Sequence, residues 1–191
     1  MEPVSDDELL LMYRAGEAEA FDALFDRHHR AVYNFAVAML GRNGEADEVL
    51  QETFLCVARH AEQYSPRGRF RSWLMRIARN RCLNCLEARR LRRAVLARGG
   101  SDAGEIASPE PSPARLAEAH ETHANLREAL GRLPDRQRET LALYAFEHMT
   151  YREIAEVLDM PINTVKTLIH RARAELARRL GPPERETKRE L

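Results

Sequence analysis

The sequence predicts an all-α protein of two small helical domains joined by a flexible linker. Three observations carry that prediction. Apolar residues recur at spacings of three and four in one segment after another. Aromatic residues make up only 6% of the chain and β-branched runs are scarce, which argues against an all-β fold. The stretch GGSDAGEIASPEPSP, Gly99 to Pro113, is dense in Gly and Pro and poor in apolar residues, so it reads as a linker. The predicted organisation is an N-terminal domain over 1–98, a linker over 99–114, a C-terminal domain over 115–181 and a polar tail over 182–191.

The N-terminal elements follow from caps and stripes. Ser5 and Glu8 form an S-x-x-E capping box, so a short helix should carry Leu9, Leu10 and Met12 and stop near Gly16. A longer helix runs from about Ala18 to Leu40. Phe21, Leu24, Phe25, His28, Val32, Phe35, Ala36 and Met39 share its apolar face, and Gly41 supplies a C-terminal stop. His28 on that face reads as a packed core histidine, not a ligand. A third helix, about Ala46 to Gln63, should bury Val49, Leu50, Thr53, Phe54 and Val57. Its other face shows Asp47, Glu48, Gln51 and Glu52. Two readings fit those residues: a solvated helix N-terminus, where the dipole favours acids, or a docking surface for a basic partner.

Tyr64-Ser65-Pro66-Arg67-Gly68-Arg69 is a turn. A fourth helix follows from about Phe70 to Arg98, with Trp73, Leu74, Ile77 and Ala78 inward. Arg71, Arg76, Arg79 and Arg81 lie on or near its outer side beside Asn80 and Asn84. Aromatics at the edge of an arginine-rich helix can stack on unpaired bases, but Phe70 and Trp73 equally suit a core.

After the linker, Leu116 to Leu130 is predicted helical, with Leu116, Ala119, His123, Leu126 and Leu130 on one side. Leu133-Pro134-Asp135 breaks it, and Asp135 caps a helix to about Glu147 carrying Leu141, Ala142, Tyr144 and Ala145. Thr150 and Glu153 make a second capping box, starting a helix at Tyr151 with Ile154, Ala155 and Leu158 as its stripe. Asp159-Met160-Pro161 cannot continue that helix, because Pro161 has no N–H and disfavours helical geometry at Met160. A last helix runs from about Ile162. Val165, Ile169, Ala172, Leu176 and Leu180 share one face of it, while Asn163, Thr164, Lys166, Thr167, His170, Arg171 and Arg173 fall elsewhere.

Between Asn163 and Arg179 there are five Lys or Arg and one acid, Glu175. A helix with its side chains, about 10–12 Å across, fits the DNA major groove of about 12 Å. A short helix, a tight turn and a polar, basic second helix make a helix-turn-helix. The bland alternative is a helical hairpin with a solvated basic face.

Charge is sorted along the chain despite a formal net charge of zero. Residues 1–62 carry thirteen acids against five Arg, whereas 67–98 carry eleven Arg against one acid, Glu87. A solvated helix would normally mix Glu with the Arg, so the basic block points to a polyanionic partner. No apolar run approaches the roughly 18–20 residues that span a bilayer, and MEPVSDDELL lacks a signal-peptide pattern, so a cytoplasmic protein without membrane contact is expected. Three Cys (Cys56, Cys82, Cys85) do not suggest a disulfide framework.

Cys82-x-x-Cys85 and His120-x-x-His123 invite a metal reading, but a structural zinc site needs four rigidly held ligands and the linker separates these pairs. Buried small apolar side chains are the preferred reading of the two cysteines. No Gly-rich phosphate loop, nucleophile triad or carboxylate pair stands out, so no catalytic residue, metal or cofactor is expected.

Three segments together resemble a known family. DEVLQETF at Asp47–Phe54, FRSWLMRIARN at Phe70–Asn80 and LPDRQRETLALYAFEHMTYREIAEVLDMPINTVK at Leu133–Lys166 look like the bacterial sigma-70 family, in its two-domain extracytoplasmic-function (ECF) group. The likeness covers nearly everything outside linker and tail, and three ordered motifs are far more specific than a lone helix-turn-helix.

The resemblance implies a non-enzymatic initiation subunit that directs core RNA polymerase to promoters. Asp47, Glu48, Gln51 and Glu52 would dock on the β′ clamp helices, with further contact to the β subunit. Ser65, Arg67, Arg69, Phe70, Trp73, Arg76, Asn80 and Asn84 would bind the minus-ten element, where one non-template base is flipped into a pocket that Asn80 helps form. Asn163, Thr164, Lys166, Thr167, His170, Arg171 and Arg173 would bind the minus-thirty-five element. The linker would thread toward the polymerase active-site channel, and an anti-sigma protein would hold the factor inactive between stresses. One departure stands out: where the family often has Ser-Arg after T-V-K, this chain has Thr167-Leu168, and Leu168 offers no hydrogen bond to a base or phosphate. A stand-alone helix-turn-helix regulator, with a ligand-sensing or dimerising N-terminal half, is the alternative. A metal-dependent protein using Cys82, Cys85, His120 and His123 is the rival from another class.

Overall fold

The computed structural model describes residues 4–41, 43–99, 128–145 and 147–180. Four helices come first: α1 Asp6–Arg14, α2 Ala18–Leu40, α3 Asn43–His60 and α4 Phe70–Gly99, with a single 3-10 turn, Ala61–Gln63, after α3. Three more follow: α5 Asp135–Ala145, α6 Tyr151–Leu158 and α7 Ile162–Leu180. Residues 128–131 are also helical. The described residues contain no strand. The predicted linker (99–114) beyond Gly99, most of the predicted Leu116–Leu130 helix, and the tail lie outside the described residues.

The caps act as the sequence implies. Ser5 Oγ accepts from the Glu8 N–H while the Glu8 carboxylate accepts from the Ser5 N–H, at 3.3 and 2.8 Å. Thr150 and Glu153 repeat this at 3.3 and 2.7 Å. Each box satisfies two amides that a helix start leaves unpaired. Gly41 closes α2 in the left-handed region at φ 69°, where a side chain would be strained. Asp159, also left-handed, closes α6, and Pro161 then opens α7 by accepting from the Thr164 and Val165 amides.

Two boundaries differ from expectation. Asp135 is the first residue of α5, not its cap: the Pro134 carbonyl accepts from the Gln137 and Arg138 amides, and the Asp135 carboxylate instead receives the Arg138 guanidinium at 2.7 Å. The third helix begins earlier than Ala46 and tightens to 3-10 geometry at Ala61, so it does not run unbroken to Gln63.

α2 packs against α3 and α4, and α1 packs against α2. Leu24, Val32, Phe35, Val49, Val57, Leu74 and Ala78 are fully buried where those helices meet. His28 is buried too, and its Nε2 sits 2.8 Å from Asp6 Oδ2. Phe25 is a correction: it sits at the rim, partly exposed, stacked on His29 and edge-on to Phe54.

The larger difference concerns how the two halves meet. α5 packs on α2 and α6 packs on α4. One apolar cluster runs from Leu9 through Leu74 and Met75 into Leu143, Met149, Ile154, Val157 and Val165. α4 is therefore covered on two sides. Leu74 and Ala78 face the N-terminal bundle's stripe; Met75 and Cys82, on the same side as Arg79, are also fully buried. The sequence pattern did not mark Met75 or Val157, because a stripe read one helix at a time does not show a second partner.

Candidate nucleic-acid and polymerase interface

Three sets of side chains are candidates for function. The first is on α3, where Asp47, Glu48, Gln51 and Glu52 are all exposed on one face, opposite Val49, Thr53 and Val57. Glu52 lies 3.6 Å from Arg81 of α4. Both side chains are well solvated, so that pair contributes little and leaves the acidic face available.

The second set runs from the loop into α4. Ser65, Arg67 and Arg69 are exposed. Arg76, Asn80 and Asn84 are exposed at intervals of four, forming a line along one side of the helix about 12 Å long at 1.5 Å per residue. Phe70 does not belong with them. It is only 1% exposed, with ring centroids 5.5 Å from His28, 6.1 Å from Tyr64 and 6.0 Å from Trp73. Phe70 is a core residue that seats the start of α4, and it cannot stack on a base from there. Trp73 is half-buried, its ring 4.8 Å from Tyr64, so it serves the core while keeping one edge at the surface.

The arginines of α4 are less open than an outward-facing basic helix would be. Arg79 lies 3.3 Å from Glu139 of α5, with side chains 13% and 1% exposed. Arg71 approaches the buried Glu147 at 4.0 Å, and Arg69 approaches Glu156 of α6 at 3.7 Å. Arg76 donates to the Glu156 carbonyl oxygen, and Arg90 meets Asp135 at 2.6 Å. Of Arg71, Arg76, Arg79 and Arg81, expected on or near the outer side, Arg76 is exposed and Arg71 and Arg81 are partly exposed, whereas Arg79 turns inward onto Glu139. The C-terminal half supplies acids that the arginine-rich segment itself lacks. Several of these contacts are imperfect: Arg79 Nε, Glu139 Oε2 and Glu147 Oε1 are buried without a hydrogen bond. Burial pushes the Glu147 carboxyl up, against the opposing pull of Arg71, His28 and His148.

The third set is on α7. Val165, Ile169 and Ala172 are buried, and Asn163, Thr164, Lys166, Thr167, His170, Arg171 and Arg173 are all exposed. Thr167 donates its hydroxyl to the Asn163 carbonyl at 2.9 Å, and Arg173 lies 4.7 Å above the Tyr144 ring. Leu168 is half-buried, at the edge of the outward surface. Farther along, Glu175 gathers Arg178 and Arg179 at 2.7 Å each. The Arg178 hydrogen bond leads in holding the Glu175 carboxyl down at about 2, so the carboxylate offsets one of those two positive charges and ties both side chains to its own side of the helix. The helix thus offers its polar surface over its first three turns.

Cys82 is fully buried and Cys85 half-buried, both as free thiols. Burial pushes each thiol up, so neither is poised as a thiolate. His120 and His123 lie outside the described residues; among those described, no group of three or more His, Cys, Asp or Glu is placed to hold a metal ion. No helix of the described residues is long and apolar enough to cross a membrane.

Comparison with known proteins fits this layout. The model for sigma-70 region 2 matches residues 24–94, and that for sigma-70 region 4 matches residues 123–176. ECF RNA polymerase sigma factor SigM of Mycobacterium tuberculosis is 36% identical over 177 residues, covering 93% of this chain and 85% of SigM. The chain belongs to the sigma-70 family, in its ECF group. ECF sigma factor SigE of Mycolicibacterium smegmatis is 32% identical over 169 residues, and this chain spans only 64% of its length. The solved structure of CnrH in complex with the cytosolic domain of CnrY shares the fold at a TM-score of 0.71 and 27% identity, covering 92% of this chain and 96% of CnrH.

The region 2 match takes in the α3 acids and the α4 line, and the region 4 match takes in α5 through most of α7. Two contributors to the surface escaped sequence reasoning. The acids Glu139, Glu147 and Glu156, which meet the α4 arginines, gave no signal because nothing local marks a long-range partner. Asp7 is one of thirteen acids in residues 1–62, and nothing beside it in the sequence marks Tyr64 and Gly68, about sixty positions later, as its partners.

Proposed function

We propose that this chain is a non-enzymatic initiation subunit that works in the cytoplasm, brings core RNA polymerase to a set of promoters and nucleates strand opening there. The carrying observation is the outward line Arg76–Asn80–Asn84 within the region 2 match, on the same chain as a region 4 helix whose seven polar and basic residues face away from the core. A stand-alone helix-turn-helix regulator has no use for the first of these.

In this reading the acids of α3 dock on the β′ clamp helices, with further contact to the β subunit. The loop residues Ser65, Arg67 and Arg69, with Trp73, Arg76, Asn80 and Asn84, receive the separated non-template strand at the minus-ten element. Arginines neutralise phosphates, an aromatic edge stacks, and an amide reads the edge of a base taken out of the stack. Unstacking costs a few kcal/mol, so holding the extruded base nucleates melting. The α7 set enters the major groove at the minus-thirty-five element, with Lys166, Arg171 and Arg173 on phosphates or guanines. Because α6 and Glu156 cover part of α4, this binding requires the halves to separate in the holoenzyme. An anti-sigma protein is the expected regulator; CnrH, solved with the cytosolic domain of CnrY, is a relative seen with a bound partner.

The test is Asn80→Ala in reconstituted holoenzyme. Asn80 is exposed and makes no part of the core, so affinity for core polymerase should be unchanged. Open-complex formation, followed by reactivity of unpaired thymines, should fall about five- to 150-fold, the value of a lost base contact of about 1–3 kcal/mol. Loss of core binding with no separate opening defect would refute the assignment.

A further inference from the structure

The first three acids of α1 have three different jobs. Successive helix positions are turned by about 100°, so Asp6, Asp7 and Glu8 project in different directions. Glu8 closes the helix's own capping box. Asp6 meets Arg27 and His28 of α2, at 2.5 and 2.8 Å, and anchors α1 to the bundle. Asp7 reaches across to the loop before α4. Its Oδ1 accepts from the Tyr64 hydroxyl at 2.8 Å, and its Oδ2 accepts from the Gly68 amide at 2.6 Å.

These two bonds grip the loop at its entry and in its middle, on either side of Ser65, Pro66 and Arg67. Gly68 adopts φ 67°, so the chain reverses there in a conformation open mainly to glycine, and the Asp7 oxygen holds its amide in that orientation. The same helix makes a second contact at the entry: Arg14 pairs with Glu62 at 3.0 Å, next to the Tyr64 backbone. Tyr64 in turn packs on Phe70 and Trp73. A carboxylate bonded to two donors with its helix fixed by Asp6 makes a rigid strut, and bonds to a charged acceptor are the stronger kind.

From this geometry we infer that Asp7 is a positioning residue for minus-ten recognition: through Tyr64 and Gly68 it sets the shape of the loop that presents Ser65, Arg67 and Arg69 to the displaced strand. The inference rests on the proposed minus-ten role of that loop. It adds an element from outside the region 2 match, which begins at residue 24. A loop free to move would have to be ordered at each binding event, and that entropy would be lost from the affinity. Asp7 orders it beforehand.

The experiment uses holoenzyme and a promoter selected by this protein in vitro, with and without a changed base at the extruded minus-ten position. The readout is the ratio of opening rates on the two promoters. A merely structural defect lowers the active fraction and leaves that ratio alone, whereas a misplaced loop changes it. Asp7→Ala is expected to lower opening on the selected promoter at least about tenfold, the value of one lost hydrogen bond to a charged group, and to compress the ratio with core binding retained. Tyr64→Phe should do the same in part, and the double variant should add little to Asp7→Ala, since both remove one interaction. Asp7→Asn, which keeps one acceptor oxygen, should fall between. An unchanged ratio in Asp7→Ala, or additive losses in the double variant, overturns the inference. Asn80→Ala run in parallel separates the two levels: if it too leaves the ratio unchanged, the minus-ten reading itself has failed.

Discussion

Arg79→Ala is the sharpest perturbation of the contact between the two halves. Arg79 and Glu139 form a nearly dry pair that joins α4 to α5. Deleting one member of such a pair leaves a buried charge without its partner, which typically costs about 3–5 kcal/mol. Here Arg136 lies 3.5 Å from the other Glu139 oxygen and gives some compensation, so the lower end, about 3 kcal/mol, is the expected cost. Glu139 can escape that cost by becoming solvated, which requires α5 to leave α4. A change of that size shifts the closed-to-open ratio by roughly a hundredfold. Small-angle scattering of the full chain should show a larger radius of gyration for Arg79→Ala, with the helical signal retained. Replacing both members with apolar side chains of similar volume should restore the compact form, because desolvating the pair offsets much of its attraction. If Arg79→Ala keeps both the radius of gyration and a stability within about 0.5 kcal/mol of the parent, the pair does not hold the halves together.

Two further outcomes follow from individual groups. Glu147 is buried, facing Arg71, His28 and His148, and its carboxyl is raised above 4.5. The packed form therefore holds a proton more tightly than the unpacked one, and its stability should fall as pH rises from 4.5 through the raised value; Glu147→Gln should remove that dependence in scattering or denaturation series. Thr150→Ala deletes the α6 cap and should cost about 1 kcal/mol in a denaturant titration, with loss of minus-thirty-five binding no greater than the loss of folded protein; a selective binding loss would mean α6 itself touches DNA.

Local chemistry made most of the secondary structure legible. Capping boxes at Ser5 and Thr150, a left-handed glycine at Gly41 and the break at Pro161 are decided by neighbours within a few residues, so the sequence displays them. The outward face of α7 was legible for the same reason: Val165, Ile169 and Ala172 share a helical side, and what remains must face away. The misreadings involve partners far along the chain. Phe70 at the edge of an arginine-rich helix is compatible with base stacking until Tyr64 and His28 are found against it. Arg79 looks solvent-facing until Glu139, sixty residues later, is found opposite. Asp135 satisfied a cap pattern, but the Pro134 carbonyl and the Arg138 side chain were nearer. Periodicity reports which side of a helix is apolar, whereas which charges meet across the molecule depends on how the helices assemble.

The most direct measurement is a map of transcription start sites on genomic DNA with core bacterial RNA polymerase, with and without this chain. The account predicts new starts that share two short upstream motifs at fixed spacing, and loss of those starts when Asp47, Glu48 and Glu52 are together changed to Lys. A start map identical to that of core polymerase alone would contradict it.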